Sequence, residues 1–144
     1  MDLTENLTAK VVDAMMKQDL ASKHLGIKVL KVEPGMATVT MTVRDDMMNG
    51  FGICHGGITF TLADTAFACA CNSRNRKTVA LACTINFITA SKPGDVLTAK
   101  AKELSLSGRT GLYDIEVTNQ TGALVAQFRG TSYGTSSTII DAES

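Results

Sequence analysis

The chain has 144 residues, a formal net charge of zero and 44% apolar residues. This length suits a single domain with a real core, spanning residues 1–144. A neutral chain argues against a nucleic-acid partner, because a phosphate backbone usually selects a basic surface. No apolar run reaches the roughly 18 residues of a membrane span, and Met1 to Glu5 lack the pattern of a secretory signal. We therefore expect a cytoplasmic protein without membrane or nucleic-acid partners.

Helical periodicity is present in two parts of the chain. Apolar residues spaced three or four apart predict an amphipathic helix over residues 4–19, and a shorter helical piece follows over residues 20–25. Together these form an N-terminal helical segment, residues 1–25. A much more apolar helix is predicted from Gly56 to about Asn72. Because it has so few charged residues, we expect a sheet to wrap around it.

Alternation of apolar and polar residues predicts six strands separated by turn residues. They lie at residues 27–32, 36–43, 78–89, 96–105, 112–119 and 123–133. The first two form a hairpin, and the last four are interpreted as a meander. One antiparallel sheet around the apolar helix satisfies this order, and its uncovered surfaces predict a homo-oligomer. The end of the chain is rich in Gly, Ser and Thr, so residues 135–144 are predicted to form a flexible tail.

The segment from Asn49 to Asp64 contains the residues most suited to chemistry. The turn His55-Gly56-Gly57 leads into the apolar helix and presents unpaired backbone N–H groups at the positive end of the helix dipole. Asp64 is an isolated carboxylate on that helix, and because burying an ionised carboxylate is unfavourable, stability is a poor explanation for it. Oxyanion donors followed by a single acid are what acyl transfer requires.

The four cysteines, at positions 54, 69, 71 and 83, form no Cys-x-x-Cys pair. With only two histidines in the chain, a zinc site has little support and no metal is predicted. Reduced thiols in a cytoplasmic protein are the main interpretation. Cys54 stays open as a nucleophile because a helix N-terminus would lower its pKa, although the sequence offers no independent base for it.

The sequence resembles the hotdog-fold acyl-CoA thioesterases, most closely the phenylacetic acid degradation (PaaI) type. The matching stretches are Asn49-Gly50, Cys54 to Gly57, Leu62 to Ala68, Ala82 to Phe87, Gly111 to Val117 and Ala126 to Gly130. The resemblance implies an α+β hotdog fold, in which an antiparallel sheet wraps around a long central helix, assembled as a homodimer or homotetramer. It also implies hydrolysis of an acyl-CoA, by preference an aromatic one of the phenylacetyl or hydroxyphenylacetyl type, to the carboxylic acid and free coenzyme A. No cofactor beyond the substrate is implied.

The resemblance also implies catalytic roles for Asn49, His55, Gly57 and Asp64. In this hypothesis the Gly57 amide binds the thioester oxygen as charge develops, and Asp64 either activates water or attacks directly to form a mixed anhydride. Asn49 positions the water or the carbonyl, and His55 orders the loop or polarises the carbonyl. Because a thiol has a pKa of about 8.5, the thiolate leaves easily and a second acid is less necessary.

Gly57 and Asp64 lie seven residues apart, which places them on about the same helix face but roughly 10 Å apart along the axis. One carbonyl group cannot contact both in a single chain. Two such helices running antiparallel about a two-fold axis bring Asp64 of one to Gly57 of the other. This spacing, together with the family's dimer, predicts a site shared between subunits.

Further residues are predicted to bind the substrate: Gly56, Thr65, Phe67, Ser107, Gly108 and Arg109. The turn that contains Arg109 and the basic stretch 74–77 are candidates for the coenzyme A phosphates, although such loops are more often merely solvated. The Phe67 ring lines the acyl pocket or packs in the core. The Thr65 hydroxyl assists the nucleophilic water, or it bonds back to its own helix or faces the core.

Two other functions stay open on the same fold. One is a non-catalytic module that binds or senses acyl-CoA, against which the presence of Asp64 argues. The other is a hydratase or dehydratase, which generally pairs a histidine with Asp or Glu and lacks the arrangement found here.

Overall fold

The computed structural model describes residues 3–141, and the side chains of residues 7–141. The helices are α1 (Leu3–Gln18), α2 (Leu20–His24) and α3 (Gly56–Cys71). The strands are β1 (Lys28–Glu33), β2 (Met36–Thr42), β3 (Thr78–Phe87), β4 (Val96–Ser107), β5 (Thr110–Thr118) and β6 (Leu124–Gly134). A short 3-10 turn, Asp45–Met47, precedes the loop that leads into α3.

The predicted helices and strands are confirmed to within a few residues at their ends, but the predicted meander is wrong for β3. The sheet is antiparallel, in the order β1-β2-β4-β5-β6-β3, so β3 lies at the edge beside β6. Only β4, β5 and β6 form a meander. The alternation of apolar and polar residues identifies a strand and its buried face, but it does not indicate which strand pairs with it in the sheet. The connection 88–95 is longer than the tight turns between the later strands, and it carries the chain across the sheet.

Helix α3 is the centre of the core and packs against all six strands of the sheet. Its residues Leu62, Ala63, Ala66 and Ala70 are 0% exposed. The small alanine side chains on this face allow the sheet to pack closely against the helix. Because strands cover so much of the helix surface, its sequence contains few charged residues. None of the described helices is both long enough and apolar enough to cross a membrane.

The C-terminal segment makes specific contacts after β6, where a flexible tail is predicted. Asn75, at φ +64, follows α3, and its side chain accepts hydrogen bonds from the backbone N–H groups of Ile139 and Ile140. The backbone of Lys77 also pairs with Thr135 and Ser137. These bonds hold residues 135–140 against the turn that follows α3. Composition cannot indicate such a pairing, and residues 142–144 lie outside the described part.

Candidate active site

The loop before α3 is held together by the side chain of Asn49. Its Oδ1 accepts hydrogen bonds from the backbone N–H groups of Phe51 and Ile53, at 2.9 and 3.3 Å. Its Nδ2 has no hydrogen-bond partner among the described residues. Asn49 therefore orders the loop through its oxygen and keeps an N–H donor available for a ligand.

His55 is the N-cap residue of α3. Its Nδ1 accepts a hydrogen bond from the Gly57 N–H at 2.9 Å, so a neutral ring carries its proton on Nε2. The Gly57 amide, which was predicted to bind the carbonyl oxygen, is therefore already used in capping the helix. The Gly56 amide has no partner in the part of the chain that the structure describes. The free donor at this helix N-terminus is thus Gly56 and not Gly57.

Gly56 lies against Phe87, the last residue of β3. A Cβ atom at position 56 would sit 3.0 Å from the Cζ atom of Phe87. The missing side chain lets the Phe87 ring pack directly against the backbone of Gly56. The N-terminus of α3 therefore opens next to the edge strand.

Asp64 is half-buried on α3, and its carboxylate has no hydrogen-bond or ion-pair partner among residues 7–141. Burial raises the pKa of this carboxyl group, and the negative charge of Asp19 raises it further. Asp19 is held in place as the N-cap of α2, where it accepts hydrogen bonds from the backbone N–H and the hydroxyl of Ser22 at 2.9 and 2.6 Å. A carboxylate with a raised pKa is a stronger base than an ordinary aspartate, as general base catalysis requires.

Asp64 and Gly56 both lie near β3. Burial raises the pKa of the Cys71 and Cys83 thiols, and the charge of Asp64 adds to both shifts, which places the carboxylate near β3. Gly56 contacts the same strand through Phe87. The two residues are eight positions apart, or about 12 Å along the helix axis. One thioester cannot contact both groups in a single chain.

The cysteines support neither a metal site nor a nucleophile. All four thiols are free. Cys54 is buried, and burial raises the pKa of its thiol, whereas a nucleophilic cysteine needs a lowered pKa. Across the described residues, no group of three or more His, Cys, Asp or Glu side chains is arranged to hold a metal ion.

Thr65 and Phe67 lie in the core, which favours the predicted alternative that they pack there over the prediction that they bind substrate. Thr65 is 5% exposed; its hydroxyl donates to the Thr61 carbonyl at 2.8 Å and lies 3.0 Å from the Ser22 hydroxyl. Phe67 is 1% exposed, and its ring lies over Gly130, where an added Cβ would be 2.7 Å from ring atoms. The Thr65 hydroxyl therefore faces its own helix and α2, and the Phe67 ring packs against β6, as the alternative interpretations predict.

The turn formed by Ser107, Gly108 and Arg109 lies next to the basic stretch 74–77. Gly108 has φ +59, the left-handed conformation that the first residue of this two-residue hairpin loop needs. The Arg109 guanidinium donates to the Gly134 carbonyl at 2.9 Å, and that of Arg76 donates to the Gly108 carbonyl at 3.3 Å. Neither arginine has a carboxylate partner among the described residues, so their charges stay available for an anion.

A cavity of about 210 Å³ near the C-terminal end of α3 is lined by three arginines, Arg74, Arg76 and Arg109. Arg74 is neutralised by Glu103, to which it donates two hydrogen bonds at 2.8 and 3.0 Å. Arg76 and Arg109 therefore supply the positive charge of this cavity. This arginine cavity lies beyond the C-terminal end of α3, whereas Gly56 lies at the N-terminal end. The length of the helix, roughly 22 Å, separates the cavity from Gly56.

A second cavity, of about 290 Å³, opens beside the N-terminus of α3. Its walls include Asn49 and Gly56, which have the unpaired N–H donors described above, and residues 87–91, from the end of β3 into the connection to β4. A larger groove of about 680 Å³ between α1 and β1 contains none of the predicted site residues. Asn49 and Gly56 thus line the same cavity, at the N-terminus of α3.

Residues 51–126 match the thioesterase superfamily. The chain belongs to this superfamily. It is therefore a thioester hydrolase, and the predicted hotdog fold is confirmed. Over 126 residues it is 49% identical to the acyl-coenzyme A thioesterase PaaI of Escherichia coli, covering 88% of this chain and 90% of PaaI.

Solved structures of thioesterases resemble this one closely. The E. coli PaaI protein, from the phenylacetic acid degradation operon, has a TM-score of 0.92 at 45% identity, covering 94% of this chain and 98% of PaaI. A hypothetical thioesterase of Streptococcus pneumoniae with coenzyme A has a TM-score of 0.73 at 32% identity, covering 76% and 88%. The predicted resemblance to the PaaI type is confirmed.

The candidate groups lie on the predicted loop and helix, but among the described residues the unpaired amide is that of Gly56 and not that of Gly57. An N-cap side chain usually accepts a hydrogen bond from the residue two or three positions later. A capping His55 was the available signal that the Gly57 amide would be occupied. The electrostatic influence of Asp19 on Asp64 had no such signal, because 45 positions separate them in the chain.

Proposed function

We propose that this thioesterase hydrolyses an aromatic acyl-CoA, of the phenylacetyl or hydroxyphenylacetyl type, to the carboxylic acid and free coenzyme A. The name of the E. coli relative supports an acyl-CoA substrate, and its operon supports an aromatic acyl group. The observation on which the mechanism depends is that the unpaired Asp64 carboxylate and the free Gly56 amide both lie near β3, the edge strand of the sheet.

In the proposed mechanism, the thioester oxygen receives hydrogen bonds from the Gly56 N–H and the Asn49 Nδ2 as it gains negative charge. His55 holds this turn in place through its bond to the Gly57 amide. Asp64 removes a proton from the attacking water, or attacks the carbonyl carbon to form a mixed anhydride that water then hydrolyses. The C–S bond breaks and the thiolate leaves. Because a thiolate is a stable leaving group, the proposal includes no metal and no cofactor.

We propose a homodimer, with a homotetramer as a pair of dimers, because the site needs two chains. Strand β3 is a sheet edge, and Val79, Leu81 and Phe87 on it are 47%, 58% and 57% exposed. An edge strand with exposed apolar side chains is a surface for pairing with another strand. Two copies paired along β3 bring their α3 helices side by side and antiparallel. Asp64 of one copy then approaches Gly56 of the other.

The same pairing supports binding of coenzyme A by the arginine cavity. In two antiparallel helices, the C-terminal end of one lies beside the N-terminal end of the other. The cavity with Arg76 and Arg109 is therefore brought toward the cavity that contains Gly56. We propose that the 290 Å³ cavity receives the acyl group, whereas the arginines of the partner subunit bind phosphate oxygens.

A panel of thioesters tests the substrate. We expect kcat/KM for phenylacetyl-CoA and its ring-hydroxylated forms to exceed that for acetyl-CoA and octanoyl-CoA by about tenfold or more, because the ring buries more apolar surface than a methyl group and loses fewer rotatable bonds on binding than an octanoyl chain. Thiol release with a chromogenic reagent measures the rates. A preference for octanoyl-CoA would contradict the aromatic acyl group. Tight binding of every ester without thiol release would favour the non-catalytic sensing module.

Replacing Arg109 with leucine tests phosphate binding. We expect KM for the acyl-CoA to rise about tenfold, since a charge-assisted hydrogen bond is lost, with kcat little changed. The N-acetylcysteamine thioester of the same acid lacks the phosphates and is the control substrate, for which KM should not change. Arg109→Lys, which keeps the charge, should restore much of the loss. An equal effect on both substrates would assign Arg109 a purely structural role.

A further inference from the structure

Ser91, in the connection between β3 and β4, is 3% exposed, yet its hydroxyl has no hydrogen-bond partner. It is the single fully buried side-chain N or O atom without a partner among residues 7–141. The Ser91 carbonyl accepts a hydrogen bond from the Cys54 N–H at 2.8 Å. This bond fixes the Ser91 backbone against the loop that precedes α3. Because an unpaired buried hydroxyl is unfavourable, such a group in a native fold requires an explanation.

Ser91 lines the 290 Å³ cavity that also contains Asn49 and Gly56. Much of the remaining wall is apolar: Ile53, Cys54, Phe87, Ile88, Ala90 and Val125. Ligand cavities commonly combine apolar walls with a few polar groups that fix the orientation of the ligand. Alanine at position 91 would fill nearly the same space without an unpaired polar atom. The hydroxyl therefore points to a ligand that pairs with it.

We propose that Ser91 is a specificity-determining residue, whose hydroxyl hydrogen-bonds a polar substituent on the acyl group in this cavity. The inference rests on the proposed function, which assigns the cavity to the acyl group. A hydroxyl substituent has the matching chemistry, because it both donates to and accepts from the Ser91 Oγ. An acyl group of the same skeleton without the substituent leaves Ser91 unpaired. Such a site discriminates against the unsubstituted ester.

The test compares wild type and Ser91→Ala on matched esters: phenylacetyl-CoA against its 2-, 3- and 4-hydroxy forms, and hexanoyl-CoA against 6-hydroxyhexanoyl-CoA. We expect wild type to prefer a hydroxylated member, and Ser91→Ala to lose about tenfold of that preference. The loss should come from the hydroxylated ester, with the plain ester unchanged. An unchanged preference ratio in Ser91→Ala would overturn the proposal.

Thermal unfolding supplies a second readout. Because Ser91 has no partner in the free protein, Ser91→Ala should leave the Tm unchanged or raise it. The matched control is Ser73→Ala: Ser73 is 0% exposed, donates to the Ala70 carbonyl and accepts from the Gly35 N–H. This variant should lower the Tm and leave the preference ratio unchanged.

The possible failures are distinguishable. A drop in Tm for Ser91→Ala like that for Ser73→Ala would mean that the hydroxyl is satisfied without substrate, for example by a buried water, and would overturn the proposal. Absence of arylacetyl-CoA hydrolysis would contradict only the aromatic acyl group. The hexanoyl pair then still measures whether Ser91 reads a hydroxyl.

Discussion

Asp64→Asn is expected to lower kcat for acyl-CoA hydrolysis roughly a thousandfold, with KM within a few fold of wild type. Asparagine keeps the size of the side chain but can neither accept a proton from water at neutral pH nor attack the carbonyl. Because the Asp64 carboxylate has no partner among the described residues, its loss breaks no structural bond. Thiol release with phenylacetyl-CoA, under multiple and single turnover, measures the loss.

The pH dependence separates a direct role from a structural one. Asp64 acts when ionised, so kcat/KM should rise as pH increases through its pKa. Burial and, to a smaller extent, the charge of Asp19 raise that pKa. The rising limb of the kcat/KM profile should therefore lie above the pH at which an ordinary aspartate titrates. Asp19→Asn keeps a capping oxygen for Ser22 but removes the charge, and should move the limb to lower pH. The neighbouring thiols, Cys71 and Cys83, stay neutral at these pH values because burial raises their pKa values.

Stability provides the control for Asp64→Asn. A carboxyl group whose pKa is raised in the folded state binds its proton more tightly there than in the unfolded chain. Its contribution to stability is therefore largest at low pH and is lost as pH rises through the folded pKa. At neutral pH, Asp64→Asn should have a Tm equal to or above that of wild type. Near-wild-type turnover in this variant would refute the role of Asp64, and a fall in Tm would indicate a structural defect.

Much of this fold was predictable because its elements have strong local patterns. The apolar spacing of α3 and the alternation of the strands locate the elements, and His55-Gly56-Gly57 locates the helix start. The edge position of β3 was not predictable, because strand patterns do not encode neighbours. The candidate catalytic residues could be predicted because they lie in one local segment, from Asn49 to Asp64.

What the sequence could not indicate is which groups meet through long-range contacts. Arg76 and Arg109 lie 33 positions apart in the chain, and folding brings both to the Gly134 end of β6. The choice between the Gly56 and Gly57 amides depends on the orientation of the His55 ring. Ser91 has no motif, and it becomes informative only when its neighbours are known to leave its hydroxyl unpaired. In each case the informative observation is a contact between residues distant in the chain, or a missing hydrogen-bond partner, and only the three-dimensional structure provides it.

Mixing two inactive variants should restore activity if the site is shared between subunits. One variant is Asp64→Asn, and the other is Gly56→Pro, which removes the N–H donor. We expect Gly56→Pro alone to lose roughly a hundred- to a thousandfold in kcat, as when one oxyanion donor is removed. After subunit exchange at equal amounts, half of the dimers are mixed and each has one intact site. The mixture should therefore reach about a quarter of the wild-type rate.

The Gly56→Pro variant is compatible with the local structure. Proline is favoured at the first position of a helix, where its missing N–H breaks no helical bond. The preceding residue must be extended, and His55 has φ −60 and ψ 134. Gly56→Ala is the matched control, because it brings a Cβ against Phe87 in the same way but keeps the amide. Its kcat should therefore stay far above that of the proline variant.

Separate affinity tags on the two variants allow the mixed dimer to be isolated before its activity is measured. Activity in this species requires that Asp64 from the Gly56→Pro chain act with the Gly56 amide from the Asp64→Asn chain. If each site were contained in one chain, both sites of the mixed dimer would be inactive. A mixed dimer whose turnover is no faster than that of either variant alone would therefore refute the shared site. A light-scattering mass of one chain for the active wild type would refute it as well. Recovery of activity would make dimerisation a requirement of the chemistry, because about 12 Å of helix separates the two groups within each chain.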